Sequence, residues 1–194
     1  RNKVREALNL FEEIFKNLSH QRKSKGQGKA SGQVHVEAAI VLKRQQKWVN
    51  MSKQFLGPVP GVEVGDHFRF RVELVIVGLH RQFLAGIDFM KKDGKKFATS
   101  IVASGRYANE VELSDVLIYS GQGGNPLVGD KKPEDQKLER GNLALKNSMD
   151  AKTPVRVIRG CQTSKASSIM GRNGDRIEKI YIYDGLYMVS KYWQ

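Results

Sequence analysis

The spacing of apolar residues changes along the chain from a helical period to a period of two. Apolar positions recur every three or four residues over 3–18, which predicts an amphipathic helix. A second helix is predicted over 34–53, with basic residues on its outer face, after a basic, glycine-bearing linker at 20–32. Two prolines and two glycines at 57–61 then end the helical region.

Alternation of apolar and polar residues begins at Asp66 and predicts a half-buried strand through Ile76. Lys92-Asp93-Gly94-Lys95 predicts a tight hairpin turn, because Asp-Gly supplies the positive φ angles that such turns require. A helix is expected at 134–149, and a turn at 183–187 leads into a last strand at 187–193. Further strands are predicted at 83–89, 96–103, 116–119, 154–159 and 180–183.

These elements predict an α+β fold in which a curved, mostly antiparallel, barrel-like β domain carries an N-terminal helical arm and flanking helices. The arm with its basic linker is expected to occupy 1–56 and the β domain 57–194. Arg1 stands where an initiator methionine would, so we expect a fragment of a larger protein.

The net positive charge of the chain indicates what kind of partner it binds. The formal net charge of +13 over 194 residues favours a polyanion, either nucleic acid or an acidic membrane surface. No apolar stretch reaches the length of a membrane span. The single cysteine, Cys161, cannot form an internal disulfide, which favours a reducing compartment and a buried thiol.

Motifs for catalysis are weak. The four histidines form no H-x-x-x-H pair and Cys161 has no cysteine partner, so no zinc site is expected. The glycine-bearing run 124–131 fails the phosphate-loop pattern, because Asp130 stands where the lysine belongs. We therefore expect this chain, taken alone, not to be an enzyme.

One stretch nevertheless has the composition of a binding pocket. Tyr107 and Tyr119 lie twelve positions apart with Glu110 between them, and small residues accompany both rings. Two aromatic rings and one carboxylate suit a flat polar ring as ligand. The alternative is that both tyrosines are ordinary half-buried strand residues.

Several short segments of the chain are distinctive when taken together and in order. They are Val64-Gly65-Asp66, Gly78-Leu79-His80-Arg81, Ala85-Gly86-Ile87, Ser104-Gly105-Arg106-Tyr107, Ile118-Tyr119-Ser120-Gly121, Asn142-Leu143-Ala144-Leu145, Pro154-Val155-Arg156-Val157, Tyr183-Asp184-Gly185 and Val189-Ser190-Lys191-Tyr192-Trp193. In this order they resemble the SRA domain (SET- and RING-associated, also called YDG) of eukaryotic chromatin proteins. The resemblance covers about 57–194, and the N-terminal helix is similar to the segment that precedes this domain in plant SUVH-class histone-lysine methyltransferases.

The resemblance implies a nuclear, chromosomal reader that flips 5-methylcytosine out of double-stranded DNA. It also implies a parent protein whose pre-SET and SET parts would use zinc and S-adenosylmethionine and act on histone H3. Tyr107 and Tyr119 would sandwich the base, and Glu110 would accept from its amino group. Backbone near Ser104, Gly105, Ser120 and Gly121 would complete the pocket.

The loop at 78–82 matches the family's thumb, in which Leu79 or Gln82 would fill the vacated stack beside His80 and Arg81; an ordinary bulged hairpin is the alternative. Candidate phosphate contacts are basic side chains near these segments: Arg69, Arg71, Arg81, Arg106, Lys131 and Lys132.

Two departures from the family pattern affect the expected specificity. Gly105-Arg106-Tyr107 replaces the usual Gly-Gly-Tyr, and Asp130-Lys131-Lys132-Pro133 replaces an Asn-Lys-Arg finger. We therefore expect tolerance of CG, CHG and CHH contexts. The competing hypotheses are a basic nucleic-acid or histone interaction module without a base pocket, and a nuclease fragment, against which the absence of a metal-ligand cluster argues.

Overall fold

The computed structural model describes residues 1–24, 34–51, 54–103, 115–123, 135–161 and 180–193. These ranges contain four helices and five strands. The helices are α1 (Asn2–Ser24), α2 (Val34–Arg44), α3 (Arg71–Ile76) and α4 (Arg140–Asp150), and the strands are β1 (His67–Phe68), β2 (Ile87–Lys92), β3 (Lys95–Ala103), β4 (Val155–Cys161) and β5 (Ile180–Tyr187).

The five strands form one mixed sheet in the order β1-β5-β4-β3-β2. Three neighbouring pairs are antiparallel, whereas β3 and β4 run parallel, with Ser100 opposite Arg156. The α+β class and the mostly antiparallel pairing are confirmed. The sheet is not closed in the described part of the chain, because β1 and β2 remain its two edges.

The N-terminal helices pack on the sheet rather than standing apart from it. Val4, Ala7 and Phe11 of α1 and Leu42 of α2 belong to the same buried cluster as Phe68 at the sheet edge. The arm and the sheet therefore share one hydrophobic core, and the boundary at 56/57 stays a prediction.

Helix α2 ends at Arg44, well before the end predicted at residue 53. Gln46 adopts a φ of 57°, which the helix cannot continue through. The Trp48 indole N–H then donates to the carbonyl of Ala39 at 2.9 Å, so the chain folds back along its own helix. Side-chain polarity gave no sign of this reversal, because glutamine is compatible with a helix.

Residues 71–76 form a short helix, so the strand predicted from Asp66 to Ile76 is wrong beyond Phe68. The side chains of Val72, Leu74, Val75 and Ile76 are all buried, so the helix is apolar nearly all round and its sequence can pass for alternation. At its start, the carboxylate of Glu73 accepts the backbone N–H of Phe70 at 2.7 Å, as in one half of a capping box.

The carboxyl group of Glu73 makes the fold sensitive to pH. Burial raises its pKa from 4.5 to about 7, although the N–H of Phe70 opposes this. Between these two values the folded chain holds a proton that the unfolded chain has released, so stability falls as pH rises through this window. The two values correspond to about 3 kcal/mol.

Glu73→Gln is expected to remove this loss while keeping an acceptor for Phe70, because a glutamine carbonyl carries no charge to bury. Urea unfolding at pH 5 and pH 8 measures the effect. From pH 5 to pH 8 the free energy of unfolding of the unaltered chain should fall by up to about 3 kcal/mol more than that of the variant. Glu13→Gln, on the exposed face of α1, is the matched control and should follow the unaltered chain. Parallel pH curves for Glu73→Gln and the unaltered chain would contradict the assignment.

The hairpin between β2 and β3 is confirmed, with φ of 51° at Asp93 and 76° at Gly94. By contrast, residues 183–187 form no turn but belong to β5. The register passes from Val157–Gly185 to Ile158–Tyr183, so Asp184 is an extra residue in a β-bulge. The strands predicted at 116–119 and 187–193 are not formed: 115–120 and 188–193 are irregular.

A second buried cluster lies where α4 covers β2 and β3. Ile87, Ala98, Ile101 and Ala144 form its centre, and Tyr119 packs against it. Helix α4 begins at Arg140, later than predicted. Gly141 explains the close packing, since a Cβ there would lie 2.8 Å from the Cβ of Ile87.

Candidate functional site

The loop from residue 80 to 86, which we name the 80–86 loop, joins the α3 region to β2 and has a buried base and an exposed tip. At the tip, Leu84 is 93% exposed and Phe83 40% exposed. Leu79 and His80, just before the tip, are fully buried. Of the two residues predicted to fill the vacated base stack, Leu79 belongs to the main core and Gln82 is exposed.

Buried polar groups hold the base of the loop. The Nε2 of His80 lies 2.9 Å from the carbonyl oxygen of Ala85, and its Nδ1 lies 2.8 Å from the hydroxyl of Ser100. The guanidinium of Arg71 donates to the same Ala85 carbonyl. Burial, aided by the Arg71 charge, lowers the pKa of His80 to about 4, so the imidazole is neutral near pH 7.

Asp88, fully buried on β2, fastens the other side of the loop. Its carboxylate accepts the backbone N–H of Arg81 at 2.9 Å and the side-chain amide of Gln54 at 3.0 Å. The Arg81 guanidinium meanwhile donates to the carbonyl of Asn50 at 2.6 Å. The tip of the loop is therefore presented from a rigid base, and the side chains of His80 and Arg81 serve that base.

Tyr119 stands beside this loop. A Cβ at Gly86 would lie 2.6 Å from the Tyr119 hydroxyl oxygen, so only glycine allows the ring this position. The ring is half-buried and rests against the cluster under α4. The phenolic oxygens of Tyr119 and Tyr181 also oppose the lowering of the Arg71 pKa that burial causes. The Tyr119 ring therefore lies against the end of the loop at Gly86.

Two side-chain amides fix the segment after Tyr119. Asn142 on α4 accepts the backbone N–H of Gln122 at 2.8 Å and donates to its carbonyl at 2.9 Å. Gln136 donates to the carbonyl of Gly121 at 3.0 Å and to the hydroxyl of Ser120 at 3.2 Å. A Cβ at Gly121 would lie 2.5 Å from the Gln136 side-chain oxygen and 2.6 Å from that of Asn142, so a larger residue there would displace these amides.

The predicted phosphate contacts Arg69 and Arg71 are both engaged within the protein. Arg69 lies over the rings of Phe15 and Phe70 and 3.7 Å from a carboxylate oxygen of Glu12. Arg71 is directed into the 80–86 loop. The other predicted site residues lie outside the described residues: Ser104, Gly105, Arg106, Tyr107, Glu110, Lys131 and Lys132.

Within the ranges that the structure describes, no three histidine, cysteine, aspartate or glutamate side chains are grouped closely enough to hold a metal ion. None of the described helices has the length and hydropathy needed to span a bilayer.

The sequence profile of the SAD/SRA domain matches residues 55–194. The chain belongs to this family. Over its whole length this SRA chain is 48% identical to the H3 lysine-9 specific histone-lysine N-methyltransferase SUVH6 of Arabidopsis thaliana, of which it spans 25%.

Solved structures agree with the family. The crystal structure of SUVH6 with SAM has a TM-score of 0.76 and 44% identity, over 100% of this chain and 36% of that one. KRYPTONITE with mCHH DNA, an H3(1-15) peptide and SAH has a TM-score of 0.74 and 33% identity, over 98% and 39% of the two chains. The SUVH5 SRA complex with fully methylated CG DNA has a TM-score of 0.57 and 52% identity, over 72% and 83%.

Sequence reasoning missed four residues of this surface. Phe83 and Leu84 follow the predicted thumb residues directly. They are exposed because the residues at the base of the loop are buried and leave the tip in solvent. Gln136 and Asn142 lie in or near the predicted helix, but their bonds to 120–123 depend on tertiary structure. A local signal existed only at the loop, where two large apolar residues precede Ala85-Gly86.

Proposed function

We propose that this chain binds double-stranded DNA containing 5-methylcytosine, flips the methylated base out of the helix and holds it between Tyr107 and Tyr119. The observation that carries the proposal is the exposed apolar tip of the 80–86 loop beside the half-buried ring of Tyr119. Membership of the SRA family supports it, as does the SUVH5 SRA complex with methylated CG DNA.

The energetics are balanced in this arrangement. Extruding a base costs a few kcal/mol. Stacking on an aromatic ring returns about 1–3 kcal/mol per base, so two rings roughly offset the extrusion. An apolar side chain in the vacated stack lowers the cost further, and Leu84 is the most exposed large apolar residue of the described chain at 93%.

Recognition of cytosine requires an acceptor for its amino group and close backbone approach. Glu110 supplies the acceptor in this proposal, and backbone near Ser104, Gly105, Ser120 and Gly121 lines the methyl group. Gln136 and Asn142 hold 120–123 in place, so this wall of the pocket is ready before DNA arrives. Burial of one methyl contributes about 0.8 kcal/mol, roughly fourfold in affinity.

The chain spans about a quarter of SUVH6, so the activity of the whole protein is also a proposal. We propose that a parent histone-lysine methyltransferase uses this domain to reach methylated chromatin in the nucleus. S-adenosylmethionine, zinc and the histone H3 substrate then belong to other parts of that parent. Tolerance of CG, CHG and CHH contexts follows from the altered finger at 130–133.

Fluorescence anisotropy with matched duplexes, methylated or unmethylated in each of the three contexts, tests the proposal. Methylation is expected to raise affinity about fourfold or more in every context, with 2-aminopurine beside the target base brightening as it unstacks. Equal affinity with and without the methyl group would favour the sequence-blind basic module. Strong selectivity for hemimethylated CG would contradict the context tolerance alone.

The tip residue is tested in the same assay. Leu84→Ala is expected to weaken methylated DNA binding about three- to tenfold and to reduce the 2-aminopurine signal, because less apolar surface fills the stack. Val64→Ala removes a side chain that is 68% exposed and lies near Gly185, away from the loop. An equal effect of the two substitutions would rule out Leu84 as the inserted residue.

A further inference from the structure

The hairpin between β2 and β3 carries an arrangement of charge that works against its own stability. Its tip holds four lysines around one aspartate, and the register places Lys91 opposite Lys96 and Lys92 opposite Lys95. Like charges directly opposite each other on neighbouring strands are destabilising. Among the residues that the structure describes, no ion pair joins any of the four lysines to a carboxylate.

Both faces of the hairpin are charged. Successive residues of a strand point to opposite faces, so the Lys91–Lys96 pair lies on one face and the Lys92–Lys95 pair on the other. The Nζ of Lys96 lies over the ring of Phe89, 5.5 Å from the ring centroid. The other pair lines an open groove of about 490 Å³ together with Asp93, Leu56, Phe97 and Thr153, so two lysines face one carboxylate there.

This surface lies far from the 80–86 loop. Strand β3 runs from Lys95 at the hairpin to Ala103 at the opposite end, a span of roughly 26 Å at about 3.3 Å per residue. Gly86 pairs with β3 near that opposite end, through a bond from the N–H of Val102 to its carbonyl. The hairpin and the proposed pocket are therefore separate contact surfaces.

We propose that the lysine hairpin is a second, sequence-independent binding surface for the phosphate backbone of duplex DNA. The major groove of B-DNA is about 12 Å wide and admits a two-stranded β-ribbon. A ribbon that enters tip first, with two lysines on each face, meets phosphates on both walls of the groove. An acidic peptide in the groove beside Phe97 would use the Lys92–Lys95 pair but would leave the Lys91–Lys96 pair without a function.

The test compares two quadruple variants of equal net charge on an unmethylated duplex. The hairpin variant carries four substitutions: Lys91→Gln, Lys92→Gln, Lys95→Gln and Lys96→Gln. It is expected to bind the duplex about tenfold or more weakly near 100 mM salt. The slope of log affinity against log salt should fall by about 3–4, because each phosphate contact contributes about 0.9. The control carries Lys→Gln at four helix positions: Lys3, Lys16, Lys23 and Lys43. A loss no larger than that of the control overturns the proposal.

Two further readouts separate a binding surface from a merely solvated one. Lys91→Glu with Lys95→Glu turns both like-charge pairs into opposite-charge pairs, so the Tm is expected to rise roughly 2–5 °C while DNA affinity falls. A rise in Tm with DNA affinity no lower than in a charge-matched helix variant overturns the proposal. The proposal is also overturned if poly-glutamate binds the unaltered chain as tightly as the duplex does and loses the same affinity in the quadruple variant. That result would indicate an acidic peptide as the partner.

The ratio of affinities for methylated and unmethylated duplexes isolates this surface from the pocket. It is expected to stay unchanged in the quadruple hairpin variant, because the lysines contact no base. If the ratio falls to one in this variant, the hairpin contributes to recognition of the methylated base, and the proposal of an independent surface is overturned. Loss of the methyl preference in the unaltered chain would instead contradict the proposed pocket and leave the hairpin result standing.

Discussion

Replacing Tyr119 by alanine is expected to abolish the preference for methylated DNA, so that affinity for the methylated duplex falls about fourfold or more, to that of the unmethylated duplex. Stacking on one aromatic ring contributes about 1–3 kcal/mol, which is enough to remove a preference of this size. Tyr119 is half-buried and packs against the cluster under α4, and its truncation would remove one wall of the proposed pocket. Anisotropy on methylated and unmethylated duplexes at one salt concentration measures both effects, and unmethylated binding should change little.

Two matched variants separate the ring from its surroundings. Tyr119→Phe keeps the ring and should retain methyl preference. Gly86→Ala leaves Tyr119 unchanged but places a methyl group 2.6 Å from its hydroxyl oxygen, so the ring must shift and the preference should fall. If Tyr119→Ala binds methylated and unmethylated DNA in the same ratio as the unaltered chain, Tyr119 does not stack on the base.

The elements that the sequence predicts well are those decided by neighbours in the chain. The Asp93–Gly94 turn needs only its own positive φ angles, and α1 shows a helical stripe because one of its faces meets solvent. Helix α3 was not predicted, because nearly all of it is buried and no polar face reveals its helical period. The run Leu74-Val75-Ile76 could have raised doubt, because three consecutive apolar residues do not fit a half-buried strand.

For the site, the residue types were predictable but their surroundings were not. Ser120 and Gly121 were identified from the resemblance, yet no local pattern indicates that the Gln136 amide donates to both. The bonds from Asn142 on α4 to the backbone of Gln122 depend on tertiary structure in the same way. The burial of Leu79 was not predictable, because exposure in a loop depends on which residues pack into the core beneath it. Here Arg71, His80 and Asp88 fasten the base, and only the residues beyond it are left outside.

Arg156 joins the distant segments that meet under this loop. Its side chain is almost fully buried on β4, with the residue 2% exposed. The guanidinium donates to three backbone carbonyls, those of Leu79 at 3.2 Å, Phe55 at 3.1 Å and Gly57 at 2.7 Å. Burial lowers its pKa to about 10, although Asp88 opposes this, so it remains charged at pH 7. One side chain thus ties β4 to the start of the SRA segment and to the base of the 80–86 loop.

Arg156→Met is expected to destabilise the fold by about 3–5 kcal/mol, because it leaves two buried carbonyls and one partly buried carbonyl without this donor, and Asp88 without its nearby positive charge. Urea unfolding with linear extrapolation measures the loss. Arg156→Lys keeps the charge but cannot reach all three carbonyls from one nitrogen, so an intermediate loss is expected. Arg5→Met, on the exposed face of α1, should stay within about 0.5 kcal/mol of the unaltered chain. A loss below about 1 kcal/mol for Arg156→Met would mean that water or a rearranged backbone satisfies the carbonyls, and that Arg71, His80 and Asp88 anchor the loop without Arg156.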